Sequence, residues 1–97
     1  MKKLYLFCSA GMSSSIIAKK MQTVATEKKL DVEVSYFPEA KMNEKAKEAD
    51  IILLSPQVKY LEKEVREKYS DKTVYLIEMA DYGMLNGEAI LNKSLSA

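Results

Sequence analysis

The chain has 97 residues, 47% hydrophobic and 30% charged, with a formal net charge of +1. That size reads as one domain, residues 1–97, burying roughly 60–70% of its unfolded surface without staples. The near-neutral balance supplies no field for nucleic acid or a membrane surface. One cysteine and no histidine exclude an internal disulfide, a metal-ligand cluster, a self-contained Cys-His pair and hence a thiol hydrolase.

Leu4–Cys8 is an uninterrupted apolar run ending at the lone thiol, as expected of a strand buried on both faces. Small residues follow from Ser9 to Ser15, and Ile16, Ile17, Met21, Val24 and Ala25 then recur at helical spacing. Ser13 or Ser14 is the expected N-cap of that helix, which reaches about Lys29. Asp31–Phe37 alternates apolar and polar residues like a half-exposed edge strand. Pro38 ends it and opens a weakly helical stretch, Glu39–Glu48, with Met42, Ala46 and Ala49 as a thin apolar stripe. Ile51–Leu54 is a second fully apolar strand, and Ser55-Pro56 caps a helix burying Val58, Leu61 and Val65. Thr73–Ile77 is the fourth strand, followed by a loop through Asp81, Tyr82 and Gly83, and Asn86-Gly87 starts a last helix.

Alternating strands and helices predict an α/β fold: one four-stranded parallel sheet with helices on both faces. Right-handed crossovers and two fully apolar strands give the order 2-1-3-4. The chain then turns opposite ways out of strands one and three, and ligands bind beyond their carboxyl ends. Those ends are Cys8 and Ser55.

The order strand, small-residue loop, helix has chemical consequences. The first turn of a helix leaves several N–H groups unpartnered and carries partial positive charge. Ser9, Ala10, Gly11, Met12, Ser13, Ser14 and Ser15 let such amides approach a tetrahedral anion, with serine hydroxyls adding donors. The same field favours thiolate over thiol at Cys8. A nucleophile inside a phosphate cradle points to phosphoryl transfer through a phosphocysteine. The plainer reading is a small buried cysteine followed by a serine-rich cap. Gln57, Tyr60 and Tyr82 either line the rim of the crevice and touch a docking protein or are ordinary packing and surface residues.

The stretch Cys8-Ser-Ala-Gly-Met-Ser-Ser-Ser15, preceded by Leu-Tyr-Leu-Phe, resembles the phosphorylation loop of a known family. This is the enzyme IIB component of the phosphoenolpyruvate-dependent sugar phosphotransferase system, lactose/cellobiose (chitobiose) type. The resemblance continues through Phe37-Pro38-Glu39, Ala49-Asp50-Ile-Ile-Leu-Leu-Ser-Pro-Gln57 and Tyr82-Gly83, nearly the whole chain. It implies a fold like that of the low-molecular-weight tyrosine phosphatases and a monomer in the cytoplasm, where a free thiol stays reduced. It implies that Cys8 takes a phosphoryl group from a phosphohistidine of enzyme IIA. Cys8 would then pass it to a β-disaccharide such as cellobiose, chitobiose or lactose, held by the membrane permease, enzyme IIC. No cofactor, nucleic acid or membrane insertion is implied, and no apolar run approaches the roughly 20 residues of a span.

Two rivals remain at this point. A small cysteine phosphatase carries an arginine six residues after its cysteine, where its guanidinium clamps the transferring group. Here that place holds Ser14, so a phosphocysteine should outlast exposure to water, as a carrier requires. Asp81 sits where such phosphatases keep a general acid, but Tyr82 follows it in place of their proline. The other rival is a thiol sensor, which needs a second protein because no resolving cysteine exists here.

Overall fold

The computed structural model describes residues 1–9 and 11–97, and of Gly11 and Met12 the backbone only. Strand β1 (Lys2–Cys8) is buried from Leu4 to Cys8. Its residues alternate between two cores, as strand geometry requires. Leu4 and Leu6 pack on one side with Ile17, Met21, Ile90 and Leu91. Tyr5 and Phe7 pack on the other with Met42, Val58, Val65 and Tyr69. Helices α1 (Gly11–Glu27) and α5 (Gly87–Ser96) therefore cover one face, and α2 (Met42–Lys45) and α3 (Glu62–Lys68) the other.

The remaining strands are β2 (Val32–Pro38), β3 (Ile51–Leu54) and β4 (Thr73–Leu76). All pairings are parallel, in the order β2-β1-β3-β4, as the apolar runs and crossover handedness predict. β1 and β3 are central, and β2 is the half-buried edge. Its outer backbone is clipped by Gln22, whose side-chain amide donates to the Val32 carbonyl (3.1 Å) and accepts from the Val34 N–H (2.8 Å).

Four local expectations are revised. α1 begins at Gly11, so Ser13 and Ser14 lie inside its first turns rather than capping it. Pro38 closes β2 and caps a 3-10 turn instead of opening a helix. The 39–48 stretch splits into a 3-10 turn, α2 and another 3-10 turn, consistent with its lack of side-chain caps. The stretch read as a loop after β4 contains helix α4 (Met79–Gly83). Two things hold α4. Lys93 of α5 contacts Glu78 and Asp81, each at 2.7 Å. At its far end Leu85, at φ 53°, stands where glycine is usual. There the Leu85 N–H donates to the Tyr82 carbonyl and the Asn86 N–H to that of Asp81.

Candidate functional site

The carboxyl ends of β1, β2 and β3 meet at one edge of the sheet. Cys8 ends β1 opposite Pro38 of β2, and the Ser55 N–H donates to the Phe7 carbonyl at 3.1 Å. Cys8 is free of disulfide and fully buried. Its Sγ lies 3.9 Å from the Phe37 carbonyl oxygen, to which the S–H donates. Helix α1 starts only three residues later, and the first turn of a helix carries unpartnered amides and the positive end of its dipole. The topology thus places the chain's one thiol three residues before a helix terminus, the kind of end that favours anions.

Ser9 is exposed, and inside the first turns of α1 Ser13 and Ser15 are half-buried and Ser14 is fully buried. Ala10 lies outside the described residues, as do the side chains of Gly11 and Met12, so their expected share in phosphate binding has no geometry here. The Ser14 hydroxyl is paired in the interior: its Oγ lies 3.2 Å from the Tyr82 hydroxyl, and either group can be the donor.

Of the three expected rim residues, two come together. Gln57 and Tyr82 line a cavity of about 240 Å³ with Pro56, Met79 and Gly83. Gln57 is exposed, and its Oε1 accepts from the buried Ser55 hydroxyl at 3.1 Å. Tyr82 is mostly core, at 8% exposure, packed with Leu4, Leu6 and Ile17. Tyr60 stands apart from this cavity, exposed, its hydroxyl donating to the Glu39 carboxylate. That hydrogen bond, followed by desolvation and the carboxylate's charge, raises the Tyr60 pKa. Asp81 is engaged with Lys93, whose pKa is pushed up by its hydrogen bonds to Asp81 and Glu78.

Sequence reasoning did not place Pro56, Met79 or Gly83 at this rim, and of these Met79 is the most exposed large side chain, at 75%. The only signal for it was a methionine in a stretch without periodicity. Among the described residues, no group of three His, Cys, Asp or Glu could hold a metal ion. None of the described helices is long and apolar enough to cross a membrane.

The family model described as "PTS system, Lactose/Cellobiose specific IIB subunit" matches residues 3–93. The oligo-beta-mannoside-specific EIIB component of Bacillus subtilis is 32% identical over 98 residues, covering 99% of this chain and 95% of the relative. The galactose-specific EIIB component of Lactococcus lactis subsp. cremoris is 35% identical, covering 93% and 90%. The cellobiose-specific component of Lactococcus lactis subsp. lactis is 34% identical with the same coverage. Among solved structures, a cellobiose-specific phosphotransferase IIB component from Borrelia burgdorferi superposes with a TM-score of 0.78 at 27% identity, covering 98% and 89%. A lactose-specific IIB domain from Streptococcus pneumoniae reaches 0.86 at 17% identity, covering 98% and 95%, a likeness of fold.

Proposed function

Because the chain belongs to the lactose/cellobiose-specific IIB family of the sugar phosphotransferase system, a family of sugar phosphotransferases, we propose that Cys8 carries the phosphoryl group as a phosphocysteine. The observation that carries this reading is the position of the chain's one thiol, at the carboxyl edge of the sheet and immediately before the N-terminus of α1. The donor is a phosphohistidine of an enzyme IIA, and the acceptor is a sugar hydroxyl held by an enzyme IIC permease. This chain has no histidine, so the imidazole is supplied by the partner.

In the first step the Cys8 sulfur attacks phosphorus as the thiolate. The S–P bond forms, the P–N bond breaks, and the imidazole leaves with a proton from solvent. In the second step a sugar oxygen attacks, the S–P bond breaks, and thiolate is regenerated. The hydroxyl proton passes to a base on the acceptor side. Between the steps the phosphoryl oxygens rest on the amides of Ser9 to Ser15, and Gly11 lets the backbone approach closely. No cation lies in this loop, which supports a carrier over a phosphatase. An arginine clamp is worth about 10³–10⁵ in rate where it operates.

Gln57, Met79 and the edge of Tyr82 form the surface an incoming protein meets first, and Tyr60 extends it toward the end of β2. The sugar is a β-disaccharide of the cellobiose, chitobiose or lactose class. The test is loading from labelled phospho-IIA. The parent takes up label and Cys8→Ser, still folded, takes up none; full labelling of the serine variant would overturn the assignment.

A further inference from the structure

Tyr82 and Ser14 are 68 residues apart in sequence, yet their hydroxyl oxygens lie 3.2 Å apart in the interior. Ser14 is fully buried and Tyr82 nearly so, so neither hydroxyl has water to fall back on. Burying a hydroxyl is unfavourable unless it is partnered, and a phenylalanine would have filled the same apolar space. The pair therefore ties the first turns of α1, through Ser14 six residues beyond Cys8, to the ring of Tyr82 in α4. The ring is anchored in the core cluster that also holds Leu4, Leu6 and Ile17. Its helix is held at the front by Lys93 on Glu78 and Asp81, and at the back by the closing turn at Leu85.

The chemistry of the two groups sets the direction of the bond. A phenol is the stronger acid and better donor of the pair, and a serine oxygen accepts readily. With Tyr82 donating, the Ser14 hydrogen is released from that partner and available to a phosphoryl oxygen. With Ser14 donating, it is not.

Resting on the reading of Cys8 as the phosphoryl carrier, we propose that Tyr82 is a positioning residue for the transfer reaction. Its buried hydroxyl donates to Ser14 Oγ and directs the Ser14 O–H to the phosphoryl group on Cys8. Tyr82 so acts through Ser14, and its role as a contact for partner proteins is secondary.

The experiment compares the parent with Tyr82→Phe, Ser14→Ala, the double variant and Ser14→Thr. Each is loaded from phosphohistidine-bearing IIA at varied donor concentration, with the labelled residue mapped in the parent first. Tyr82→Phe and Ser14→Ala each lower kcat by roughly 5- to 30-fold, the scale of one hydrogen bond, and leave KM for the donor within about twofold. The double variant is no slower than the worse single, as for groups acting as a unit. Ser14→Thr, which keeps a hydroxyl, stays within about threefold of the parent. A purely structural tie would lower the melting temperature without moving kcat, and that result overturns the proposal. A loss confined to KM also overturns it, by placing Tyr82 on the docking surface instead. So do losses that multiply in the double variant. A parent labelled anywhere but Cys8 removes the underlying reading and this proposal together, and is recognised before any variant is compared.

Discussion

In the proposed transfer Cys8 works through the residues that follow it, and Ser14 is the one on which most turns. It occupies the place where a phosphatase loop keeps arginine, and it is fully buried against Tyr82. Ser14→Arg should therefore do two things. It should speed hydrolysis of the loaded phosphocysteine, but far less than the ~10³–10⁵ of an evolved clamp, because nothing around it is built to orient a guanidinium. It should also lower stability by roughly 1–3 kcal/mol or more, through overpacking and an unpaired buried charge. Phosphate release after donor removal and a urea titration measure the two effects; unchanged release would take Ser14 out of the explanation for carrier behaviour. The strand ending at Cys8 and the helix after it were legible in the sequence because an apolar run followed by a helical period admits few arrangements, though the helix starts earlier than the serines suggest. Tyr82 was not. A single aromatic in the polar stretch 78–83 carries the same signal whether it lines a rim or fills a core.

At the scale of elements, the site depends on how closely α1, α4 and α5 are held. A Cβ at Gly87 would come within 2.6 Å of Lys20 Cβ and 3.0 Å of the Met21 backbone nitrogen. Gly87→Ala should therefore push α5 off α1 and cost about 1–3 kcal/mol, read as a lower urea midpoint; an unchanged midpoint would mean the helices separate freely. Gln22→Ala removes both clips on the open edge of β2. We expect a loss of roughly 1–2 kcal/mol and faster hydrogen exchange at Val34, and unchanged exchange there would deny the clip any role. Lys93 bridges α5 to Glu78 and Asp81, and these hydrogen bonds raise its pKa above the ordinary 10.5. A lysine raised on folding contributes stability that is complete below its unfolded value and fades as pH climbs through the folded one. The bridge should thus be intact at neutral pH and weaken only in strong alkali. Lys93→Met should loosen α4 at pH 7, with Met79–Gly83 exchanging faster, and remove the alkaline decline; equal protection in both proteins would show that α4 needs no bridge. This bridge also explains why α4 escaped sequence reading. Its five residues are too few for a helical period, and contacts from α5 stabilise them. The broken 39–48 segment was legible as an apolar stripe, since Met42, Ala46 and Ala49 are all buried, but its pitch was not.

For the whole molecule, the strand order decides where the lone thiol of the proposed site lies. Because the chain leaves β1 and β3 in opposite directions, the ends at Cys8 and Ser55 lie buried at a shared edge, with the cavity of Gln57, Met79 and Tyr82 following β3. That much followed from two fully apolar runs and the handedness of crossovers. The sugar did not follow, and for a physical reason: in the proposed cycle the sugar is bound by the permease, so selectivity leaves little mark on this chain. Relatives of similar identity are named for oligo-beta-mannoside, galactose and cellobiose. The claim that this fold stores a phosphoryl group for a sugar, instead of discarding it to water, is tested most directly by a chase. The protein is loaded with labelled phosphoryl group from phospho-IIA and the donor removed. Membranes bearing a lactose/cellobiose-type permease are then added, with or without a β-disaccharide. The label should stay on Cys8 until membranes and sugar are both present, and then appear as sugar phosphate. Release as inorganic phosphate at one rate, whether or not sugar and permease are there, would contradict the account.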